Sequence, residues 1–361
     1  MQNKTDRARC LKTFRQSGVW PRNLSESPDS SGRHQDVGEE PGMKLVDDPI
    51  SNIAIGAGAP LIHTYSIVAR DPDNGQLGVA VQSHYFSVGS VVTWAEAGVG
   101  AVASQALSEP AYGKLGLDLM RAGKTAPDCL SGLLASDPMK EIRQVAMIDV
   151  EGRAAAHTGS ITIPEAGHVV GEGFSVQANM MLKNTVWPAM AEAYRSAKGA
   201  LIDRLLASLD AAEIEGGDIR GRQSAAVLIV DGKNTGRPWN DTIFDLRVDD
   251  GAEPLKEIRR LASVRKSYLH KRQADAAQAR GDLAAMEREY EAAERLIGDN
   301  PEMRYWHSIA LLSLGQIEPG IAMLKETGAR DPNWIELTLR LPAMMLPGDP
   351  AVLERIKALL K

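Results

Sequence analysis

Between residues 63 and 250 the chain consists of short strand-like runs separated by glycine-rich turns, and this pattern limits the folds it can adopt. The first two runs are TYSIVA and LGVAVQS, and RDPDNGQ links them. Asn74 and Gly75 in this link readily adopt the positive φ values of a tight turn. The two runs therefore predict an antiparallel hairpin whose first strand begins at Thr64.

The strand-like runs come in groups, and pairs of amphipathic helices separate the groups. VVTWA and GVGAVASQ complete the first group, and RQVAMIDV, RAAAHTG and HVVGEGFSVQA form the second. Helices are predicted at about 111–122 and 126–136, and again at about 186–197 and 199–214. QSAAVLIVD and IFDLRVDD form a last strand pair. This order is not strict β-α-β alternation, so we expect an α+β domain over residues 63–252, with layered antiparallel sheets and helices outside.

The two ends of the chain differ from this central region. Residues 1–59 are rich in Ser, Asp, Gly, Pro and charge without an apolar period, so we expect a disordered leader. Translation begins at Met1 or at Met43, which precedes a less polar stretch. After residue 254 the pattern is purely helical, and residues 254–361 form a second predicted domain.

The C-terminal domain contains a weak internal repeat. Gly281-Asp282-Leu283 is echoed by Gly315-Gln316-Ile317, and Asn300-Pro301 by Asp331-Pro332. The first echo has the period of about 34 residues that is typical of tetratricopeptide helix-turn-helix units. A pair of unrelated helical hairpins is the alternative.

Charge and composition exclude several classes of function. The net charge is -6 and no long basic run is present, so nucleic acid is not an expected partner. No apolar stretch approaches the roughly 20 residues that span a bilayer, and we expect a cytoplasmic protein without membrane contacts. Gly98, Gly100 and Ala103 have dinucleotide-fingerprint spacing, but a strand follows where that fingerprint requires a helix. No zinc motif occurs, so we expect neither cofactor nor metal.

Residues 63–250 resemble the bacterial family of unknown function 1028, which is grouped with the N-terminal-nucleophile (Ntn) hydrolase-like fold. The resemblance rests on TYSIVARDPDNGQLGVAVQS, WAEAGVGAVASQ, GHVVGEGFSVQANMML, GGDIRGRQSAAVLIV and DLRVDD. It implies a four-layer αββα sandwich with a Thr at the head of the first strand. It implies no substrate, and the helical tail lies outside it.

Thr64 is the candidate nucleophile. An Ntn hydrolase needs Ser, Thr or Cys at the chain's own N-terminus, because the α-amine, with a pKa of about 7.7–8.0, then serves as the general base. Thr64 meets this requirement only after cleavage of the His63–Thr64 bond. The alternative is that Thr64 is only a β-branched residue that opens a strand.

Further candidate site residues lie near the ends of predicted strands. Gln177 and Asn179 share a strand face, and Asn179 is the preferred oxyanion donor, with a helix N-cap as its alternative. Ser83 and His84 end the second strand, and His84 would approach Thr64 across the hairpin. The candidate substrate-binding residues are Gln105, Gln177, Asp218, Arg220 and Arg222. An Arg–Asp pair that fixes the loop GGDIRGRQS is the alternative to carboxylate recognition.

The sequence thus leaves two functions open. The first is a hydrolase that acts on an amide bond of a small molecule or peptide. The second is a non-catalytic binding or scaffold protein whose helical tail binds a protein partner. In either case we expect self-association into a homo-oligomer.

Overall fold

The computed structural model describes residues 61–62 and 64–360. The predicted disordered leader, residues 1–59, and both candidate start positions lie outside the described residues. The described residues combine two antiparallel sheets with helices that follow and flank them, as the strand and helix patterns predict. The strands are β1 (Leu61–Ile62), β2 (Thr64–Arg70), β3 (Leu77–Ser83), β4 (Thr93–Glu96), β5 (Gly100–Leu107), β6 (Arg143–Asp149), β7 (Ala154–Thr158), β8 (Gly167–Gly171), β9 (Phe174–Ala178), β10 (Ser224–Val230) and β11 (Thr242–Val248).

The strands form two sheets, called sheet A and sheet B, and every strand pair described is antiparallel. Sheet A has the order β1-β5-β6-β7, and β4 also pairs with β5. Sheet B has the order β11-β10-β3-β2-β9-β8. The chain passes from sheet A to sheet B between Ile62 and Thr64. Thr64 therefore begins an inner strand of sheet B directly after a strand of the other sheet.

The first hairpin forms as predicted. β2 pairs with β3 in a register that places Thr64 opposite Ser83 and Arg70 opposite Leu77. Gly75 has a φ of 77°, in the left-handed region where a residue with a Cβ is strained. This turn fixes the register, and the register in turn places Thr64 beside Ser83.

Helices pack on the outer face of each sheet. On sheet A, α1 (Ala111–Arg121) and α2 (Ala126–Ser136) bury an apolar face that includes Leu117 and Leu130. On sheet B, α3 (Val186–Ser196) and α4 (Leu201–Ile214) do the same. A short helix, α5 (Pro238–Asp241), precedes β11.

The inner faces of the two sheets form a separate apolar cluster. Strand alternation explains the division, because Tyr65 and Ile67 of β2 face the helices while Val68 belongs to the cluster between the sheets. Ala103 and Ile148 contribute from sheet A. The sheets are thus held face to face by side chains of alternate strand positions.

Six further helices follow the sheets. They are α6 (Pro254–Ala279), α7 (Leu283–Ile297), α8 (Glu302–Ser313), α9 (Ile317–Arg330), α10 (Asn333–Arg340) and α11 (Pro350–Ala358). The first part of α6 joins the core over sheet B through Leu255 and Ile258, and its last part packs on α7 through Ala274. α7 begins at Leu283 and α9 at Ile317, which are the last residues of the two repeated triplets and lie 34 residues apart. Within the described part of the chain, no helix is both long and apolar enough to cross a membrane.

Candidate functional site

Thr64 lies at the centre of a buried polar cluster at one end of the two sheets. It is the first residue of β2, between β3 and β9, and it has no exposed surface. Its hydroxyl donates a hydrogen bond of 3.1 Å to the Ser83 hydroxyl. Ser83 is itself opposite Ser224 of β10, so three hydroxyl-bearing residues follow one another across three neighbouring strands.

The carbonyl oxygen of Thr64 is held by two residues. The Asn179 backbone N–H donates to it at 3.0 Å, and the Gln105 side-chain amide donates at 3.2 Å. The Asn179 side-chain amide makes a third, longer contact of 3.4 Å. Gln105 belongs to sheet A, so the main chain of the candidate nucleophile is fixed from both sheets.

Gln144 of β6 connects these two amides. Its Oε1 accepts hydrogen bonds from Gln105 at 2.6 Å and from Asn179 at 2.9 Å. Its Nε2 donates to the Ala178 carbonyl and to the Thr158 hydroxyl, both at 2.9 Å. Gln144 therefore satisfies donors and acceptors on both sheets at once.

Ser66 and Gln177 extend the cluster along the sheets. The Ser66 hydroxyl donates to Gln105 Oε1 at 2.7 Å and accepts from Gln177 Nε2 at 2.5 Å. Gln177 Oε1 in turn accepts from Ser175. These side chains are fully buried, and buried polar groups of this kind are tolerated only because they hydrogen-bond to one another.

Strand periodicity places these residues together. Thr64, Ser66 and Val68 alternate along β2, so all three face sheet A, where Val68 joins the apolar cluster. The space between the sheets is therefore polar at the Thr64 end and apolar further along.

Two residues beside the cluster have left-handed backbone conformations. Ala106, which follows Gln105, has a φ of 68°, and Met180, which follows Asn179, has a φ of 57°. Such conformations cost an ordinary residue about 1 kcal/mol or more and often occur at functional sites. Both amides that contact the Thr64 carbonyl thus precede a strained residue.

His84, Asp218 and Arg220 form a second group just beyond the end of β3. The Asp218 carboxylate accepts from the His84 backbone N–H at 3.1 Å and pairs with the Arg220 guanidinium at 2.7 Å. Asp218 is buried, while the Arg220 side chain is 30% exposed. This is the Arg–Asp pair proposed above as the alternative to carboxylate recognition. No hydrogen bond between His84 and Thr64 is found among residues 64–360.

Arg222 does not join either group. Its guanidinium pairs with Glu213 of α4 and Glu253, on the helix-covered face of sheet B. Glu213 also accepts hydrogen bonds from the Tyr65 hydroxyl and the Gln82 amide. Burial and the neighbouring Glu213 carboxylate raise the pKa of Tyr65 well above its usual value, so Tyr65 remains a neutral donor. Arg222 thus fixes α4 and the start of α6 to sheet B.

The structure rules out one alternative role of Asn179 and shows cluster residues that were not predicted from the sequence. Asn179 is not a helix N-cap, because the next helix begins only at Val186. Gln144, Ser66 and Ser224 were not predicted as site residues. Their signal is a polar residue next to a run of apolar residues in a strand, as in QVAMI and SAAVLIV.

Comparisons with known proteins match the region of the chain that contains this site. The model of a family of unknown function, DUF1028, matches residues 64–258, from Thr64 into α6. The crystal structure of protein SPO2555 from Silicibacter pomeroyi, assigned to the same family, is 31% identical with a TM-score of 0.50. That similarity covers 55% of this chain and 88% of the other. No curated protein matches the chain.

Proposed function

The chain belongs to the family of unknown function DUF1028, and we propose that it is an N-terminal-nucleophile hydrolase that cleaves an amide bond of a small molecule or peptide. The observation that carries this proposal is the position of Thr64. A buried Thr begins an inner strand, with its hydroxyl bonded to Ser83 and its carbonyl fixed by Gln105 and Asn179. A residue that merely opens a strand needs no such set of partners.

The layering of the chain supports the same proposal. Two antiparallel sheets lie face to face, and helices cover both outer faces, as an αββα Ntn-hydrolase-like sandwich requires. β1 ends at Ile62 in one sheet and β2 begins at Thr64 in the other. Cleavage of the His63–Thr64 bond would place a new α-amine at the head of β2, beside the cluster.

The reaction would proceed through an ester of Thr64. The liberated α-amine takes the proton of the Thr64 hydroxyl as its oxygen attacks the substrate carbonyl carbon. The C–N bond then breaks, and the amine leaves with that proton. Water adds to the ester and releases the acid, which restores the Thr64 hydroxyl. Ser83, which already accepts a hydrogen bond from that hydroxyl, orients it.

Asn179 is the proposed oxyanion donor. Its side-chain amide has a firm contact to Gln144 at 2.9 Å and a longer one to the Thr64 carbonyl at 3.4 Å. The longer contact is the weaker of the two, so the Asn179 amide can give it up and donate instead to an oxyanion that forms nearby. Gln105 and Gln177 would then hold Thr64 and its strand in place. Arg220 would keep its ion pair with Asp218 and approach a substrate carboxylate with the exposed part of its side chain.

The test compares the full chain with a form that begins at Thr64, using intact-mass measurement and a screen of small amides and dipeptides. Only the form with a free Thr64 amine should turn over a substrate, because the uncleaved chain has no α-amine at Thr64 to act as the general base. Thr64→Ala should abolish turnover without unfolding the protein, and Thr64→Ser should keep partial activity. Asn179→Ala should slow the reaction by about 100–1000-fold.

The pH profile provides a second check. The rate should rise as the α-amine loses its proton, with a midpoint near its usual pKa of about 8. A protein that retains His63 on Thr64 and still turns over substrate would contradict the mechanism. It would direct attention to Ser83, His84 and the Asp218–Arg220 pair.

A non-catalytic binding role is the second candidate, and a groove along the C-terminal helices favours it. The groove has a volume of about 440 Å³ and is lined by residues of α6, α7, α8 and the turn after α10, including Lys271, Trp306 and Met344. Met344 is 90% exposed, and Lys271 lies over the Trp306 ring. In this case the tetratricopeptide-like helices would bind a partner peptide, and Thr64→Ala would leave that binding unchanged.

A further inference from the structure

A second cavity lies at the opposite end of β2 from Thr64. β2 runs from Thr64 to Arg70, which separates its two ends by about 20 Å. The cavity has a volume of about 430 Å³, within the range of small-molecule sites. Its lining includes Arg70, Glu151, Glu172, Tyr194 and Arg204. Arg70 lies at the end of β2, the two glutamates lie in turns between strands, and Tyr194 and Arg204 lie in the helices over sheet B.

The Arg70 side chain has no direct ion-pair partner among the described residues. This side chain is half-buried, its Nε is buried, and its guanidinium forms no hydrogen bond or ion pair with any residue that the structure describes. A partly buried, unpaired guanidinium is costly, because the charge loses water and gains no partner. Anions are the natural complement of such a group.

Arg204 and Tyr194 add donors to the same cavity. Asp71 holds Arg204 through Nη2 at 2.8 Å, and the guanidinium lies 5.4 Å from the centre of the Tyr194 ring. The buried Arg204 Nε has no hydrogen-bond partner within the described chain. Tyr194 is 6% exposed, and its hydroxyl likewise bonds to none of the described residues. Burial raises the pKa of Tyr194 to about 12, so this hydroxyl is a donor at neutral pH.

Two carboxylates lie on the rim of this cavity. Glu151 and Glu172 are exposed, and neither forms an ion pair with another residue of the described ranges. They would repel a doubly charged anion such as phosphate and attract a cationic nitrogen. The cavity therefore presents donors for one carboxylate beside acceptors for one ammonium group.

We propose that this cavity binds a free amino acid. The carboxylate of the ligand contacts the guanidinium groups of Arg70 and Arg204 and the Tyr194 hydroxyl, and its ammonium group faces Glu151 and Glu172. The site is distinct from Thr64 and stands independently of the proposed hydrolase activity.

Calorimetric titration of the full-length chain tests this assignment, with glycine, acetate, methylamine and inorganic phosphate as probes. Glycine should bind more tightly than acetate, which lacks the ammonium group, and methylamine should not bind measurably. Arg70→Met should weaken glycine binding by about tenfold or more, and Tyr194→Phe by about fivefold. Arg288→Met, at an exposed position of α7, is the matched control and should leave binding unchanged.

Measurements of melting temperature distinguish a loss of glycine binding from a defect in folding. Without ligand, Arg70→Met should unfold at the same temperature as the parent or higher, because it removes an unpaired charge. Glycine should raise the melting temperature of the parent and of Arg288→Met, but not of Arg70→Met. Absence of glycine binding to the parent, equal binding by Arg70→Met and Arg288→Met, or preference for phosphate over glycine would each overturn the proposal.

Discussion

Replacement of Gln144 by Met tests whether the buried amide cluster holds the two sheets together at the Thr64 end. The substitution keeps most of the side-chain volume but removes the acceptor shared by Gln105 and Asn179. Each of these residues then loses its shortest side-chain hydrogen bond in a layer without exposed surface. Loss of a buried hydrogen bond costs about 1–3 kcal/mol, so loss of both should lower the free energy of unfolding by about 4 kcal/mol.

Urea unfolding followed by circular dichroism measures this loss, and two further variants make it specific. Gln273→Met, at an exposed position of α6, should change the free energy of unfolding by less than about 0.5 kcal/mol. Gln144→Glu keeps the shared acceptor but places a carboxyl oxygen against the Ala178 carbonyl. The new carboxyl should therefore have a raised pKa in the folded state. Its contribution to stability is complete below the unfolded pKa of about 4.3 and is lost as the pH rises through the folded value.

This reasoning would be refuted if Gln144→Met lowered the free energy of unfolding by less than about 1 kcal/mol, no more than the exposed control Gln273→Met does. It would mean that the amides find other partners when Gln144 is absent, and that the cluster does not fix the Thr64 carbonyl.

Two more predictions follow from contacts elsewhere in the fold. Burial lowers the pKa of His168, so its contribution to stability is present above the unfolded value of about 6.5 and is lost as the pH falls through the lower folded value. Melting temperatures between about pH 5 and 8 should show this fall for the parent but not for His168→Gln. A chain that ends at Arg272 keeps Leu255 and Ile258 in the core over sheet B. It should remain soluble with its sheets intact by sedimentation and circular dichroism. Aggregation would instead show that α7 to α11 cover part of the sheet region.

The sequence by itself determined most strands and the helix pairs of the central region, together with their order. The hairpin with Asn74-Gly75 at its turn, the helix pairs and the helical C-terminal region all follow from periodicity and turn residues, which act over a few neighbouring positions. Strand alternation also indicated that Gln177 and Asn179 share a face. Such local signals need no knowledge of what lies opposite that face.

Only the tertiary structure decided which side chains meet. Asn179 and Gln105 reach the Thr64 carbonyl from distant parts of the chain, and Gln144 joins them. Arg220 and Arg222 are two residues apart, yet one pairs with Asp218 beyond the end of β3 and the other with Glu213 on the helix-covered face. Alternation assigns a side chain to a face, but the partner on that face depends on strand order, register and the packing of one layer on the next.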